Sequence, residues 1–214
     1  MKRLYAGLVT VLLLIGMTGV AGALPIQLVT NGEFESPSFA GLFQPNAAVP
    51  GWSNSSGILE IFLQGIYGSQ ALGSDGLGTG LHHEITYSRD TDYTTQDVLI
   101  ASVGTVDFSF DAWKRNASGI AYSVTGTLSG VLVSGSHVFT SNLWEAISYT
   151  GLSVLAGETL TLRFDSVGSS SSGAHIDQVS LMYEAAPVPE PSTIVLLGGG
   201  LLGLGWYGRK REKA

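Results

Sequence analysis

From Leu24 to Tyr183 apolar and polar residues alternate with a period of two, and almost no stretch keeps a helical period. Val106, Phe108, Phe110 and Ala112 alternate with Asp107, Ser109, Asp111 and Trp113. Leu160, Leu162 and Phe164 alternate in the same way with Thr161, Arg163 and Asp165. Such spacing puts the apolar set on one face of a half-buried strand. Further strands are predicted over Ile58–Leu63, Ala121–Leu128, Gly130–Ser134, His137–Thr140, Trp144–Tyr149 and Gln178–Tyr183. Turn signals separate them, among them Gly65, Ser74-Asp75-Gly76, Asn116-Ala117-Ser118-Gly119 and Ala156-Gly157-Glu158. The Gly/Ser run Gly168–Gly173 reads as a flexible loop inside this region, because a strand pattern resumes directly after it. Many short strands at this spacing predict a sandwich or a barrel.

Both ends of the chain break the pattern. Lys2 and Arg3 precede the apolar run Leu8–Met17, and Ala21-Gly22-Ala23 follows. Positive, apolar and small-residue regions in that order predict a secretory signal peptide cleaved after Ala23, the alternative being an uncleaved anchor helix. Near the other end, Ile194–Tyr207 is apolar and Gly-rich, with Trp206 and Tyr207 where an interfacial aromatic belt would sit. Pro191–Gly208 as a helix would be about 27 Å long, just enough for a hydrocarbon core of about 30 Å. Arg209, Lys210, Arg211 and Lys213 then form a basic stop, so the segment predicts a short single-pass anchor with the preceding domain outside. The expected order is a signal peptide (1–23), a β domain (24–184), a linker (185–193), a transmembrane helix (194–208) and a basic cytoplasmic tail (209–214).

Composition narrows the function. Mean hydropathy is +0.28 over 214 residues, which the two apolar ends partly explain. Cysteine is absent, which excludes thiol catalysis, thiolate zinc sites and iron–sulfur clusters. An exported domain without disulfides must hold together through its core or a bound ion. Between Leu24 and Glu184 four basic residues, Arg89, Lys114, Arg115 and Arg163, face fifteen acidic ones, a net of −11. Nucleic acid and anionic membrane surfaces are excluded as partners of such a domain.

Two resemblances follow from particular residues. Val188-Pro189-Glu190-Pro191-Ser192, a Gly/Leu-rich span and Arg209-Lys210-Arg211 together resemble the PEP-CTERM sorting signal of Gram-negative bacteria. That resemblance implies an exosortase-type transpeptidase as partner, besides signal peptidase and the export machinery. It also implies transient anchoring in the inner membrane and delivery to the cell surface or extracellular matrix. The two prolines suit the role, since they hold an extended backbone for a protease cleft. In the domain, Asn31-Gly32-Glu33-Phe34-Glu35, Pro50-Gly51-Trp52, Gly68-Ser69-Gln70-Ala71-Leu72, Val106–Trp113 and Ile176-Asp177-Gln178-Val179-Ser180-Leu181 resemble, in order, the motifs of galactose-binding-like jelly rolls. Gln178 stands where those domains usually have Asn, and Leu77–Asp97 matches poorly. The resemblance implies an all-β fold, two antiparallel sheets packed face to face, with carbohydrate as ligand in many members. It also implies a structural Ca²⁺ tying the first strand to the last, with Glu35 and Asp177 as carboxylate ligands. The alternative for that pair is two solvated carboxylates at strand ends.

Sugar binding needs aromatic faces for the C–H side of a pyranose and polar groups for its hydroxyls. Trp113 lies on the face opposite Val106, Phe108 and Phe110, so it is expected outward and available. Tyr67, Tyr87, Tyr93, Asp75 and His82 complete the candidate set, with Tyr87 and Tyr93 read as part of a polar loop over Tyr87–Gln96. Trp52 and Trp144 read as core or sheet-end packing. His82-His83-Glu84 invites a metal or acid–base reading, but neighbouring residues of a strand point to opposite faces. A polar loop is the expected home of this triplet. The sequence lacks a G-x-S-x-G elbow, an H-E-x-x-H pair and a P-loop. The expectation is therefore a non-catalytic surface protein that associates with extracellular polysaccharide. The alternatives are a structural protein making protein contacts and an enzyme acting on polysaccharide through a carboxylate pair.

Overall fold

The structure is a computed structural model, and it describes residues 24–36, 38, 43–45, 48–57, 59–63, 80–85, 92–115, 117–168, 173–187, 198–203 and 209. Two compact units are present: Leu24–Ala186, and the remaining terminal residues taken together. In the second unit the described residues 198–203 are helical. Among the described residues no helix is long and apolar enough to cross a membrane. The segment read as a signal peptide lies outside the described residues.

The larger unit is built from strands. In chain order these are β1 (Ile26–Gln27), β2 (Phe43–Gln44), β3 (Ser53–Asn54), β4 (Glu60–Leu63), β5 (Leu81–Glu84), β6 (Tyr93–Leu99), β7 (Gly104–Lys114), β8 (Gly119–Gly126), β9 (Gly130–Val138), β10 (Glu145–Val154), β11 (Thr159–Val167) and β12 (Ala174–Ala185). Every pairing between them is antiparallel. One sheet of seven strands runs β10-β7-β12-β5-β4-β2, with β1 beside the far half of β12. The other, of five strands, runs β3-β6-β11-β8-β9. This is the β-sandwich jelly roll expected from the alternation and its resemblances.

The alternation explains the packing. Val106, Phe108 and Phe110 of β7 are buried with Leu160, Leu162 and Phe164 of β11 and Ile120 and Val124 of β8. Phe110 meets Phe164 edge-on with ring centroids 4.9 Å apart. Such aromatic pairs add to area burial through the quadrupoles of the rings.

Strand β12 has a register break between Asp177 and Ser180, where Gln178 and Val179 together oppose the single residue Phe110 of β7. Gln178 takes the left-handed conformation there, at φ 51°. The extra residue resets the phase, so Ala174 and Ile176 before it and Leu181 and Tyr183 after it all reach the interior. The Val179 N–H freed from the ladder donates to the Gly32 carbonyl at 3.0 Å. Only glycine fits there, since a Cβ on Gly32 would lie 1.9 Å from the Val179 carbonyl oxygen.

Three sequence expectations change. Gly130–Ser134 and His137–Thr140 merge into the single strand β9. The polar loop expected over Tyr87–Gln96 gives way, from Tyr93 on, to strand β6. Its inward positions are Thr94, Gln96 and Val98, so two of three inner residues are polar and the apolar alternation is hidden. His82-His83-Glu84, likewise expected in a loop, is strand β5, buried throughout.

Candidate functional site

The candidate site is the face of the seven-stranded sheet that points away from the interior. Alternation along β4, β5, β7 and β12 decides which side chains reach it. Register then lines them up into two rows. In one, Trp113 opposes His175, His175 opposes Glu84, and Glu84 opposes Glu60. In the other, Asp111 opposes Asp177, and His82 opposes Phe62. Two residues separate the rows on each strand, so the eight side chains form a grid two deep and four strands wide.

The rings of this grid touch. His82 and His175 have centroids 4.8 Å apart, and His175 lies 4.8 Å from Trp113. Phe62 stacks on His82 at 6.0 Å. The turn before β10 adds Trp144, edge-on to His82 at 5.5 Å and 6.2 Å from Trp113. That turn is fixed from both sides. Trp113 Nε1 donates to the Asn142 carbonyl at 3.0 Å, and Glu145 accepts from the Thr140 and Ser141 backbone N–H groups and from the Ser141 hydroxyl.

Electrostatics mark the same place. Glu84 is 1% exposed, and burial pushes its carboxyl up to about 7, against the pull of the Gly173 N–H and the Arg115 guanidinium. Gly173 N–H donates to Glu84 Oε1 at 2.6 Å, and Arg115 Nη1 stands 3.5 Å from Oε2. Burial, with His83 adding to it, holds His82 down at about 3. Burial first, and then His82, His83 and Arg115, put His175 well below the usual imidazole range. Both rings are therefore neutral at pH 7, each offering one donor and one acceptor. Neither ring nitrogen of His82 has a hydrogen-bond partner among the described residues, although the side chain is fully buried. A buried polar atom without a partner costs about 1–3 kcal/mol.

His83 has the opposite fate. It points between the sheets, donates from Nδ1 to the Glu60 carbonyl at 2.9 Å and accepts at Nε2 from the Thr94 hydroxyl, also at 2.9 Å. Burial lowers it to about 4 despite that carbonyl. The two adjacent histidines thus diverge, as strand geometry requires, but His82 converges with His175, 93 positions away in the chain. No local motif announces that meeting.

The other sequence-derived candidates scatter. Trp113 is on the outer face as expected, yet it is 1% exposed, so it is not an open platform. Tyr93 lies on the other sheet, with the Arg163 guanidinium 3.7 Å above its ring. Tyr67, Tyr87 and Asp75 lie outside the described residues. Trp52 belongs to the core, against Phe34 and Phe164.

A cavity of about 360 Å³ lies where β1 and the Asn31–Glu35 turn meet the bulge of β12, lined by Gln27, Asn31, Glu33, Glu35, Gln178 and Ser180 among others. Glu35 borders it, but its Oε1 accepts from the Leu81 N–H, and Asp177 Oδ1 accepts from the Gln178 N–H. Gln27 Oε1 accepts from Val29 and Leu181, and the Gly32 carbonyl from Val179. Among the described residues no three acidic or imidazole groups converge on a metal position.

Residues 187–211 match the PEP-CTERM protein-sorting motif. Of its residues, Arg209 is exposed, while Pro189, Glu190, Pro191, Lys210 and Arg211 lie outside the described residues. No curated protein matches the chain. Among solved structures, the chain is similar to TmCBM61 in complex with beta-1,4-galactotriose, at 16% identity and a TM-score of 0.48, over 73% of this chain and 97% of that one. A CBM4 structure gives 13% identity and a TM-score of 0.44, over 72% and 99%. A family 35 carbohydrate binding module from Clostridium thermocellum gives 14% and 0.38, over 77% and 100%.

Proposed function

We propose that this chain is exported, processed at its PEP-CTERM motif by an exosortase-type transpeptidase, and displayed at the cell surface. There its β-sandwich associates with extracellular polysaccharide without catalysis. The grid carries the reading. On an outer sheet face, where contact with solvent would be ordinary, it gathers two tryptophans, a phenylalanine, two neutral histidines and four carboxylates. Rings of this kind pack on sugar C–H groups, and carboxylate and imidazole atoms take up hydroxyls. The inner members are covered, so a ligand approaches past the half-buried Glu60, Asp111 and Trp144.

The test is retention of the full chain, in detergent, on the producer's own exopolysaccharide and on a panel of neutral and acidic polysaccharides. Binding is expected, and at pH 7 His82→Gln and Trp144→Ala should each weaken it about tenfold with the β-sheet circular-dichroism signal retained. No binding to any polymer overturns the reading. Processing is read separately, by mass spectrometry of surface-exposed protein. A mature chain that still ends in Arg209–Ala214 overturns it.

The near-complete burial of Trp113 and His175 favours a second reading, in which the grid is a satellite core and the domain makes protein contacts only. Under it His82→Gln changes stability and no glycan affinity exists to lose.

A further inference from the structure

From Asn116 to Trp144 the sequence contains no Asp, Glu, Lys or Arg, although the domain around it carries a net charge of −11. Strands β8 and β9 fall inside this stretch. β9 ends the five-stranded sheet, paired with β8 on one side alone among the described strands. An edge strand offers unpaired backbone groups to any other strand, and proteins blunt such edges with charge, proline, bulges or brevity. The other described edges are blunted in these ways. β1, β2 and β3 have two residues each. β10 starts at Glu145 and loses its register between Tyr149 and Leu152. β9 has its irregularity near its start, between Val131 and Val133, and then runs in register to Val138. Its one titratable side chain, His137, turns to Glu145 of β10, with Nε2 2.6 Å from Oε2. Ser134, Ser136 and Val138 are exposed, Val138 at 67%.

One bond tells which backbone groups face outward. Phe139 N–H donates to the Ser118 carbonyl at 3.2 Å, so Phe139 is turned toward β8. Direction alternates along an antiparallel strand, so Val133, Gly135 and His137 face β8 as well. Ser134, Ser136 and Val138 then turn N–H and carbonyl away from the sheet. A second β9, antiparallel and centred on Ser136, uses all three. It sets Ser134 opposite Val138, Ser136 opposite its own copy, and Val138 opposite Ser134. Each of these pairs closes two backbone hydrogen bonds. The edge is thus complementary to itself, as a two-fold contact requires. Charge selects the same place. Two copies of so acidic a domain repel through charged faces, whereas here neutral strand meets neutral strand. We propose that β9 is a self-association edge, at which two copies of this chain pair about Ser136 and join their five-stranded sheets into one continuous sheet.

The chain has no cysteine, so one introduced thiol reports one contact. Ser136→Cys in the full chain, in detergent, is expected to give a disulfide-linked dimer on mild oxidation. Directly opposed Cα atoms in such a pair stand about 5.5 Å apart, which suits the bond. Ser148→Cys, exposed on the edge strand β10 of the other sheet, is expected to stay monomeric. In analytical ultracentrifugation the unsubstituted chain should dimerise with a dissociation constant on the order of 10 µM, as fits a contact of one strand pair. Ser136→Lys sets two like charges face to face and should raise that constant at least about tenfold, with the β-sheet circular-dichroism signal retained. Three results overturn the proposal: a chain still monomeric about tenfold above the expected constant, a dimer indifferent to Ser136→Lys, or crosslinking through Ser148→Cys as fast as through Ser136→Cys.

Discussion

The two sheets turn very different faces outward. On the five-stranded sheet, Thr95, Asp97, Ser123, Thr125, Thr161, Arg163 and Asp165 are half-buried or exposed. This is the usual bargain of an antiparallel sandwich, apolar inside and polar toward water. On the seven-stranded sheet the corresponding positions hold the grid, and His82, Glu84, His175 and Asp177 are buried. Burial there cannot be explained by the sandwich core, which lies on the other side of the same strands. Polar groups in an ordinary place need no explanation. The same groups withdrawn from water on an outer face need one, and that contrast is what singles out the candidate site.

Substitutions can break the contrast, and the largest effect should come from tryptophan. Trp113→Ala is expected to cost about 3–5 kcal/mol of stability by urea denaturation, as for any fully buried large side chain. Tyr93→Ala on the opposite sheet should cost about 1 kcal/mol or less, having no comparable burial to lose. Equal losses would erase the distinction between the faces.

Next comes Glu84, whose folded pKa of about 7 lies above its ordinary 4.5. A carboxyl raised in this way destabilises the fold where it must ionise, so its penalty is absent below about pH 4.5 and grows as pH rises through 7. Glu84→Gln should therefore gain about 1–3 kcal/mol at pH 8 relative to its effect at pH 4.5. The histidines run the other way. His82 and His83, lowered to about 3 and 4, withhold their penalty above pH 6.5 and impose it as pH falls toward those values. His82→Gln should flatten the acid side of the stability profile, measured by thermal melts between pH 4 and pH 7.

The smallest effect belongs to the exposed pair. Asp165→Asn breaks the fork with Arg163, whose side chain is 41% exposed. The cost should be about 0.5 kcal/mol, vanishing in high salt.

How much of this was legible depended on which residues filled the inner positions. Strands β7 and β11 stood out because Phe108, Phe110, Leu162 and Phe164 write the period plainly. Strand β6 did not, because its inner Gln96 and Thr94 are satisfied by partners distant in sequence. Gln96 bonds both the N–H and the carbonyl of Thr30, and Thr94 bonds His83 and Asn54. Polar residues that solve their burial by pairing across the sandwich look, in one dimension, like loop. The grid was hidden for a related reason. Its members come from four strands, and only register brings Glu60, His82, His175 and Trp113 onto one surface. Trp113 alone was assigned to its face from the alternation, and even there the cover over it had no signature.

Strand β12 carries the grid at one end and the exit toward the sorting motif at the other. Ten residues separate His175 from Ala185, about 33 Å of extended chain. Tension between a ligand held at the grid and a tail leaving beyond Ala185 would run along this strand, parallel to its ladder with β7. Ten paired positions, from Ala174 with Lys114 to Ala185 with Gly104, would share that pull in shear instead of peeling apart one by one. Mechanically, β12 would act as a tie-rod under such a load.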